Sequence, residues 1–231
     1  KLEECSAEQR ATLQRIAQSC GLLLCQTQGF QAHWQAIAPQ VPTEKYRLYA
    51  PVIADLPASL TPLIQRPLRA IYAGKFKGEW MTLEMAECWP SIRQQAPGSE
   101  LVMIGDKIHV EPDRPNYQER MRQALESTEG LRWLGAQSRE GVQQHMQRAR
   151  VGLSWRAESM NDTLEYSTKI LEYGGAGCAA ILNRNPLHEQ LLGHDYPLFA
   201  NSVDEFTRQL TRALSEPHVA QRAAQALHAL A

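Results

Sequence analysis

Short apolar runs alternate with helical patterns along almost all of this 231-residue chain. Leu13, Ile16, Ala17 and Cys20 recur at helical spacing, and Gly21-Leu22-Leu23-Leu24-Cys25 then reads as a buried strand. Residues 30–37 return to a helical period, and Tyr46-Arg47-Leu48-Tyr49 predicts a short strand. Pro51, Pro57, Pro62 and Pro67 punctuate the next stretch, which reads as a linker or crossover. Beyond it the rhythm strengthens. Strands are predicted at 68–73, 100–105, 131–135 and 151–155, with helices at 81–92, 117–125 and 139–149 between them. A helix starting near Thr168 ends in glycines and leads into the apolar run Ala179-Ala180-Ile181-Leu182. Patterns over 203–214 and 219–230 predict two surface helices, and no internal repeat is present. Continuously apolar strands are buried on both faces. Their alternation with helices predicts an α/β fold, a Rossmann-like parallel sheet with helices on both faces.

Composition narrows the function classes. The length suffices for one large or two small domains. The formal net charge of −1 leaves no electrostatic footprint for nucleic acid. No apolar run approaches the roughly 18 residues of a membrane-spanning helix. Lys1-Leu2-Glu3-Glu4 does not have the character of a signal peptide. Five cysteines, an odd number without a C-x-x-C pair, predict reduced thiols in a cytoplasmic protein. The chain opens without methionine and inside a helical pattern, which predicts a piece of a longer protein.

The candidate chemistry gathers at Glu165-Tyr166-Ser167-Thr168-Lys169-Ile170-Leu171-Glu172-Tyr173. A helix N-terminus offers unpaired N–H groups and partial positive charge, which suit a phosphate. Glu172, one turn further in, is placed to take the two hydroxyls of a ribose, so the stretch reads as a nucleotide-diphosphate site. Lys169 and Glu172 are three apart and share a helix face. The plainer alternatives are a surface ion pair for these two and a simple helix cap for Ser167 and Thr168. Gly74-Lys75 follows a buried strand, where a flexible glycine and a cation can meet a ligand at the sheet's crevice; the alternative is a solvated loop lysine. Gly135-Ala136-Gln137-Ser138-Arg139 joins a strand to a helix, with Ser138 as its expected N-cap and Arg139 as a second candidate for the phosphates.

Other motifs carry less. Gly175-Ala176-Gly177-Cys178-Ala179-Ala180 formally fits G-x-G-x-x-A, but it follows a helix and opens a strand. It reads as a helix C-cap and turn, not as an NAD site. Gly105-Asp106-Lys107 is read as a turn. His188 and His194, beside Glu189 and Asp195, meet no zinc spacing and are read as surface histidines. No D-x-D occurs, so a metal-bridged diphosphate is not expected. Trp155, at a strand end just before the site loop, is the one tryptophan kept as a candidate sugar platform. Trp34, Trp80, Trp89 and Trp133 read as core or interface.

Four stretches in order, Tyr72-Ala73-Gly74-Lys75, Leu101-Val102-Met103-Ile104-Gly105, Leu134-Gly135 with Arg139, and Ser167 to Tyr173 with Glu172, resemble the retaining glycosyltransferases of the GT-B fold (group 1, or family 4). The resemblance covers about 68–215. It implies a donor-binding C-terminal half there, the end of an N-terminal half plus linker at 1–67, and a C-terminal helix at 216–231. It also implies roles. Lys75 neutralises the departing diphosphate, the Ser167–Lys169 segment holds it, and Glu172 holds the ribose. Gly74, Gln137, Ser138 and Arg139 border the donor, with the base lying against the 135–139 loop. The family's second lysine, about five residues after the first, has no counterpart: Lys77 comes early and Glu79-Trp80 fill the place. In the family's E-x7-E motif the first glutamate stands eight before the second. Here Leu164 stands there, with Glu165 one place late and Glu158 as the other candidate.

The implied reaction moves a sugar from a nucleotide-diphosphate-sugar to the hydroxyl of an unidentified glycan, lipid-linked or small-molecule acceptor. The donor is a substrate, and neither cofactor nor metal is implied. The setting implied is polysaccharide biosynthesis in the cytoplasm or at the inner face of the membrane, with the missing N-terminal half as partner. Two alternatives stay open. One is a non-catalytic α/β module whose site has degenerated, and the other is a nucleotide-sugar 2-epimerase of the same architecture.

Overall fold

Four strands are buried at nearly every residue: β3 (Arg69–Ala73), β4 (Glu100–Ile104), β6 (Val151–Ser154) and β7 (Ala179–Leu182). Neighbouring side chains on a strand point to opposite faces, so both faces of this sheet are covered. The computed structural model describes residues 5–53 and 59–231. Lys1-Leu2-Glu3-Glu4 and Pro57 lie outside the described residues.

The chain divides into two units, 1–53 with 163–168, and 54–162 with 169–231. In the first, α1 (Ala7–Ser19) starts with a capping box. Ser6 Oγ accepts from Gln9 N and Gln9 Oε1 accepts from Ser6 N. Strand β1 (Leu23–Cys25) pairs in parallel with β2 (Tyr46–Leu48), and α2 (Gln28–Ile37) lies between them in sequence. Ala17, Cys25, Ile37, Ala38 and Tyr46 form the core of this unit. Thr27 caps α2 by accepting from Phe30 N at 3.0 Å, and its hydroxyl donates to Leu164 O at 2.6 Å. That bond ties the 163–168 segment into this unit.

The second unit holds a five-stranded, all-parallel sheet in the order β5-β4-β3-β6-β7, with β5 spanning Leu131–Trp133. It is flanked by α3 (Thr82–Glu87), α4 (Trp89–Gln95), α5 (Tyr117–Ser127), α6 (Arg139–Gln147), α7 (Thr168–Gly175), α8 (Pro186–Leu192), α9 (Val203–Ser215) and α10 (Pro217–Leu230). This is the predicted Rossmann-like class. The chain runs outward from β3 to β5, then crosses to the other side of β3 for β6 and β7. The strand order therefore reverses between β3 and β6, and ligands in open α/β sheets bind outside the carboxyl ends of the strands at such a point.

One helix departs from the pattern. The single helix expected over 81–92 is two, α3 and α4, meeting at Cys88. Pro90 has no N–H to give Ala86 O, and its ring cannot follow a helical turn there without a clash. Cys88 N donates to Ala86 O and Glu84 O instead, and Pro90 sits in the first turn of α4, where a donor is not needed.

Two buried arginines hold the second unit's entry segment. Arg66 donates from Nη1 to Ala149 O (2.9 Å) and from Nε to Thr61 O (3.0 Å). Arg150 donates to Leu214 O and Arg66 O, both at 2.9 Å, and burial lowers its pKa. All five cysteines are free, and burial pushes the Cys178 thiol up to about 12.

Candidate active site

Three glycines bring the carboxyl ends of β3, β4 and β5 together. Gly74 N donates to Ile104 O at 2.9 Å, and Gly105 N donates to Gly135 O at 2.8 Å. Gly105 has φ +143°, and a Cβ there would collide with the Gly74 carbonyl. Only glycine fits such a backbone approach. Beside this junction lies a cavity of about 310 Å³. Its floor and walls are Gly74, Lys75, Gly105, Asp106, Lys107, Ala136, Gln137, Val142, Met146 and Glu172, together with Ala73 and Ile104. It has the size, the apolar wall and the few polar groups of a small-molecule site.

Helix α7 supplies the charge. Tyr173 is fully buried, and its hydroxyl donates to Ile71 O at 3.3 Å and Leu153 O at 3.2 Å. Those carbonyls belong to β3 and β6 beside the reversal, where the ladder pairs only Ala70 with Val151 and Ile71 with Gly152. The Tyr173 ring lies against Gly152, where a Cβ would collide with it. A glycine inside a buried strand thus marks the close approach of α7. Lys169 and Glu172 sit one turn or less from this anchor, on the same part of the helix.

Lys169 Nζ would lie 3.1 Å from a Cβ placed on Gly74 and is 5.7 Å from the ring centroids of both Tyr72 and Trp80. Tyr72 in turn donates its hydroxyl to Lys75 O at 2.6 Å. Burial lowers the Lys169 pKa, with Arg156 and Lys75 pushing the same way and Glu172 opposing. Lys75 is exposed at the cavity mouth. Lys75, Lys169 and Glu172 form no salt bridge with any described residue.

The other predicted residues separate. Gln137 lines the cavity, its Nε2 donating to Leu134 O at 2.8 Å. Ser138 Oγ is engaged as the α6 N-cap, accepting from Gly141 N at 3.1 Å, and Arg139 is exposed on the first turn of α6 outside the lining. Thr168 opens α7 and is exposed, whereas Ser167 is buried. Glu165 is exposed in the 163–168 segment, which belongs to the first unit. The helix that ends at Gly175, followed by Gly177 at φ +66° and then β7, has the C-cap geometry expected of it.

Some assignments change. Trp155 is buried and stacks on Phe206 at 4.7 Å, so it is core and not a sugar platform. His188 is buried, not at the surface: Nδ1 donates to Asn183 O at 2.7 Å, and burial lowers its pKa. His194 is exposed beside Glu189, 3.1 Å away. Asp106 and Lys107, read by preference as a turn rather than as the strand-end motif of the resembling family, line the cavity. Lys77 is occupied by an ion pair with Glu79. Tyr72, Trp80 and Tyr173 carry the site's support without having been singled out; Gly152 in mid-strand was the sequence signal for the last. Among the described residues no group of three His, Cys, Asp or Glu is placed to hold a metal ion. No helix of the described residues is long and apolar enough to cross a membrane.

A family model described as glycosyl transferase-like matches residues 90–231, more than half of the chain, with Glu172 and all of α7 inside the match. The chain belongs to this family. No curated protein matches it. In fold, this member of the family is similar to Anabaena Alr3699/HepE, solved in complex with UDP and glucose: TM-score 0.68, 13% identity, 100% of this chain and 64% of that one. It is likewise similar to a glycosyltransferase from Rickettsia africae (TM-score 0.69, 13% identity, 98% and 62%). A third is a trehalose-6-phosphate synthase studied for glycosyl transfer with retention (TM-score 0.66, 15% identity, 97% and 60%). The glycosyl transferase-like chain thus shares the fold of GT-B glycosyltransferases and spans less than two thirds of the length of each of these three.

Proposed function

We propose that this chain is the donor-binding portion of a glycosyltransferase that moves a sugar from a nucleotide-diphosphate-sugar to an acceptor hydroxyl. One observation carries the reading: Glu172 lines the cavity at the carboxyl ends of β3 and β4, with Lys75 in the same lining and Lys169 against Gly74. The cavity's apolar wall, Ile104, Val142 and Met146, takes the base, and the Glu172 carboxylate accepts both ribose hydroxyls. The diphosphate then falls at the cations. Its departure develops negative charge, and preset cations and the N–H groups at the start of α7 stabilise that charge without reorganising. Glu172 orients and does not transfer a proton.

The finer reading comes from the resemblance. The chain is of the group 1, or family 4, type and acts with retention and without a metal. Residues 1–67 close an N-terminal half that carries the acceptor site, 68–215 form the donor domain, and 216–231 the final helix. The exposed Leu22, Leu24 and Leu48 around the two-stranded parallel sheet support an N-terminal half that continues beyond it, because parallel sheets are ordinarily covered on both faces. Donors carrying UDP in the similar Anabaena protein support a nucleotide-sugar here. The setting proposed is cytoplasmic glycan or polysaccharide assembly.

Calorimetric titration of the chain with UDP, GDP and ADP, alongside Glu172→Ala, tests the reading. Saturable binding of one nucleotide, weakened at least about tenfold (about 1.4 kcal/mol) by the substitution, is the expected result. Failure of all three to bind favours a degenerate module. Release of free sugar and nucleotide from the donor without an acceptor favours the epimerase reading.

A further inference from the structure

Arg156 stands two residues beyond the end of β6, on the far side of the strand-order reversal from Gly74 and Lys75 at the end of β3. Its backbone is held from both sides by one side chain. Arg156 N donates to Asn183 Oδ1 and Asn183 Nδ2 donates to Arg156 O, each at 2.7 Å. The clamp is itself braced, because Asn183 O accepts from the buried His188. Nothing comparable holds the side chain. The half-buried guanidinium makes no hydrogen bond or ion pair with any described residue. It is near enough to Lys169 and to the Tyr72 hydroxyl to act on both electrostatically. Lys75 and Arg156 thus both act on Lys169, and among the described residues Glu172 is the one carboxylate that does. Uncompensated like charges at a part-buried site repel one another, and a bound anion relieves that cost. The cation that sequence spacing offers for the second position, Lys77, is already neutralised by Glu79.

We propose that Arg156 is the second diphosphate-binding cation of this site, reaching across the crevice between β3 and β6 toward the phosphates that Lys75 meets from the other side. A guanidinium suits the task because its planar fork can grip two phosphate oxygens at once. The assignment rests on the nucleotide-sugar reading and adds a residue to it from the opposite flank of the sheet.

The test compares wild type, Arg156→Gln, Arg156→Lys and Glu172→Ala on the chain as it stands. Each is titrated with UDP, GDP and ADP by calorimetry and, for whichever base binds, with the matching nucleoside by ligand-observed NMR. Thermal unfolding checks the fold of each variant. Arg156→Gln is expected to weaken the diphosphate at least about tenfold, to leave the nucleoside within about twofold, and to keep the unfolding midpoint. Arg156→Lys, which keeps the charge but loses the fork, is expected to fall between. Equal loss for diphosphate and nucleoside, or no loss for either, overturns the assignment of Arg156. If Glu172→Ala weakens binding while Arg156→Gln does not, the donor-site reading stands and only Arg156 falls. If wild type binds no diphosphate, both fall.

Discussion

The ammonium of Lys169 lies 5.7 Å from the centre of the Trp80 ring, and Trp80 occupies the place where the family pattern puts a second lysine. An aromatic face here attracts the Lys169 charge and limits where it can go. The Tyr72 ring lies at the same distance, so both rings border the ammonium beside Gly74. On the proposed reading, Trp80 acts on the phosphates only through Lys169. Trp80→Leu is expected to weaken nucleoside diphosphate binding by about 2–5-fold, in line with about 0.5–1 kcal/mol for a partly exposed cation–π pair. Calorimetry on the variant checks this; unchanged affinity would show that Lys169 is placed by the backbone alone.

Tyr173 fixes the helix that carries the charge. Tyr173→Phe removes the donor shared by Ile71 O and Leu153 O and leaves two buried carbonyls short of a partner. A loss of about 1–3 kcal/mol is expected, read from urea unfolding at constant slope. Gly152→Ala is expected to cost more, because the added methyl meets the ring itself and the core there has no space to yield.

Gly105→Ala tests the glycine junction. The methyl would drive β4's end off the Gly74 carbonyl, and φ +143° is unfavourable for alanine. A destabilisation of about 2–4 kcal/mol is expected. Nucleotide affinity should fall with it, because Gly74, Lys75 and Asp106 line the same cavity. Gly98 is the control: it is also at positive φ, but a Cβ there meets nothing.

His188 gives stability a pH dependence of definite sign. Burial, first, and the Arg156 charge hold its pKa below the ordinary 6.5, against the pull of the Asn183 carbonyl. The unfolded chain therefore takes up a proton before the folded chain does. The contribution of His188 is complete above about pH 7 and is lost as pH falls from 6.5 toward the folded pKa. His188→Gln should flatten the stability profile between about pH 7 and pH 5. An equal slope in wild type and variant, measured by urea unfolding, would assign the effect to other groups.

The strands were legible as short apolar runs between helical patterns, and four of them, β3, β4, β6 and β7, are buried at nearly every residue. All seven predicted strands are present, from Leu23–Cys25 to Ala179–Leu182. The helix expected over 81–92 failed at Pro90, whose chemistry was in the sequence but was outweighed by the apolar period around it. Gly74, Lys75, Gln137 and Glu172 were legible as cavity residues because each sits on or near a strand end or on the helix that follows the site loop. His188 was misplaced because periodicity does not tell which of two adjacent polar positions turns inward, and Trp155 because a strand-end ring can face either the ligand or α9.

The sequence by itself determined the parallel α/β class, the strand positions and the local caps, since these depend on apolar period, chain stiffness and side chains that bond within three or four residues. Tertiary structure decided which charges meet. Lys75, Arg156 and Lys169 are 81 and 13 residues apart along the chain, yet a reversal of strand order between β3 and β6 sets the strand ends side by side. That convergence, like the Trp80 ring over Lys169 and the Tyr173 hydroxyl between two strands, depends on long-range packing that local pattern does not encode.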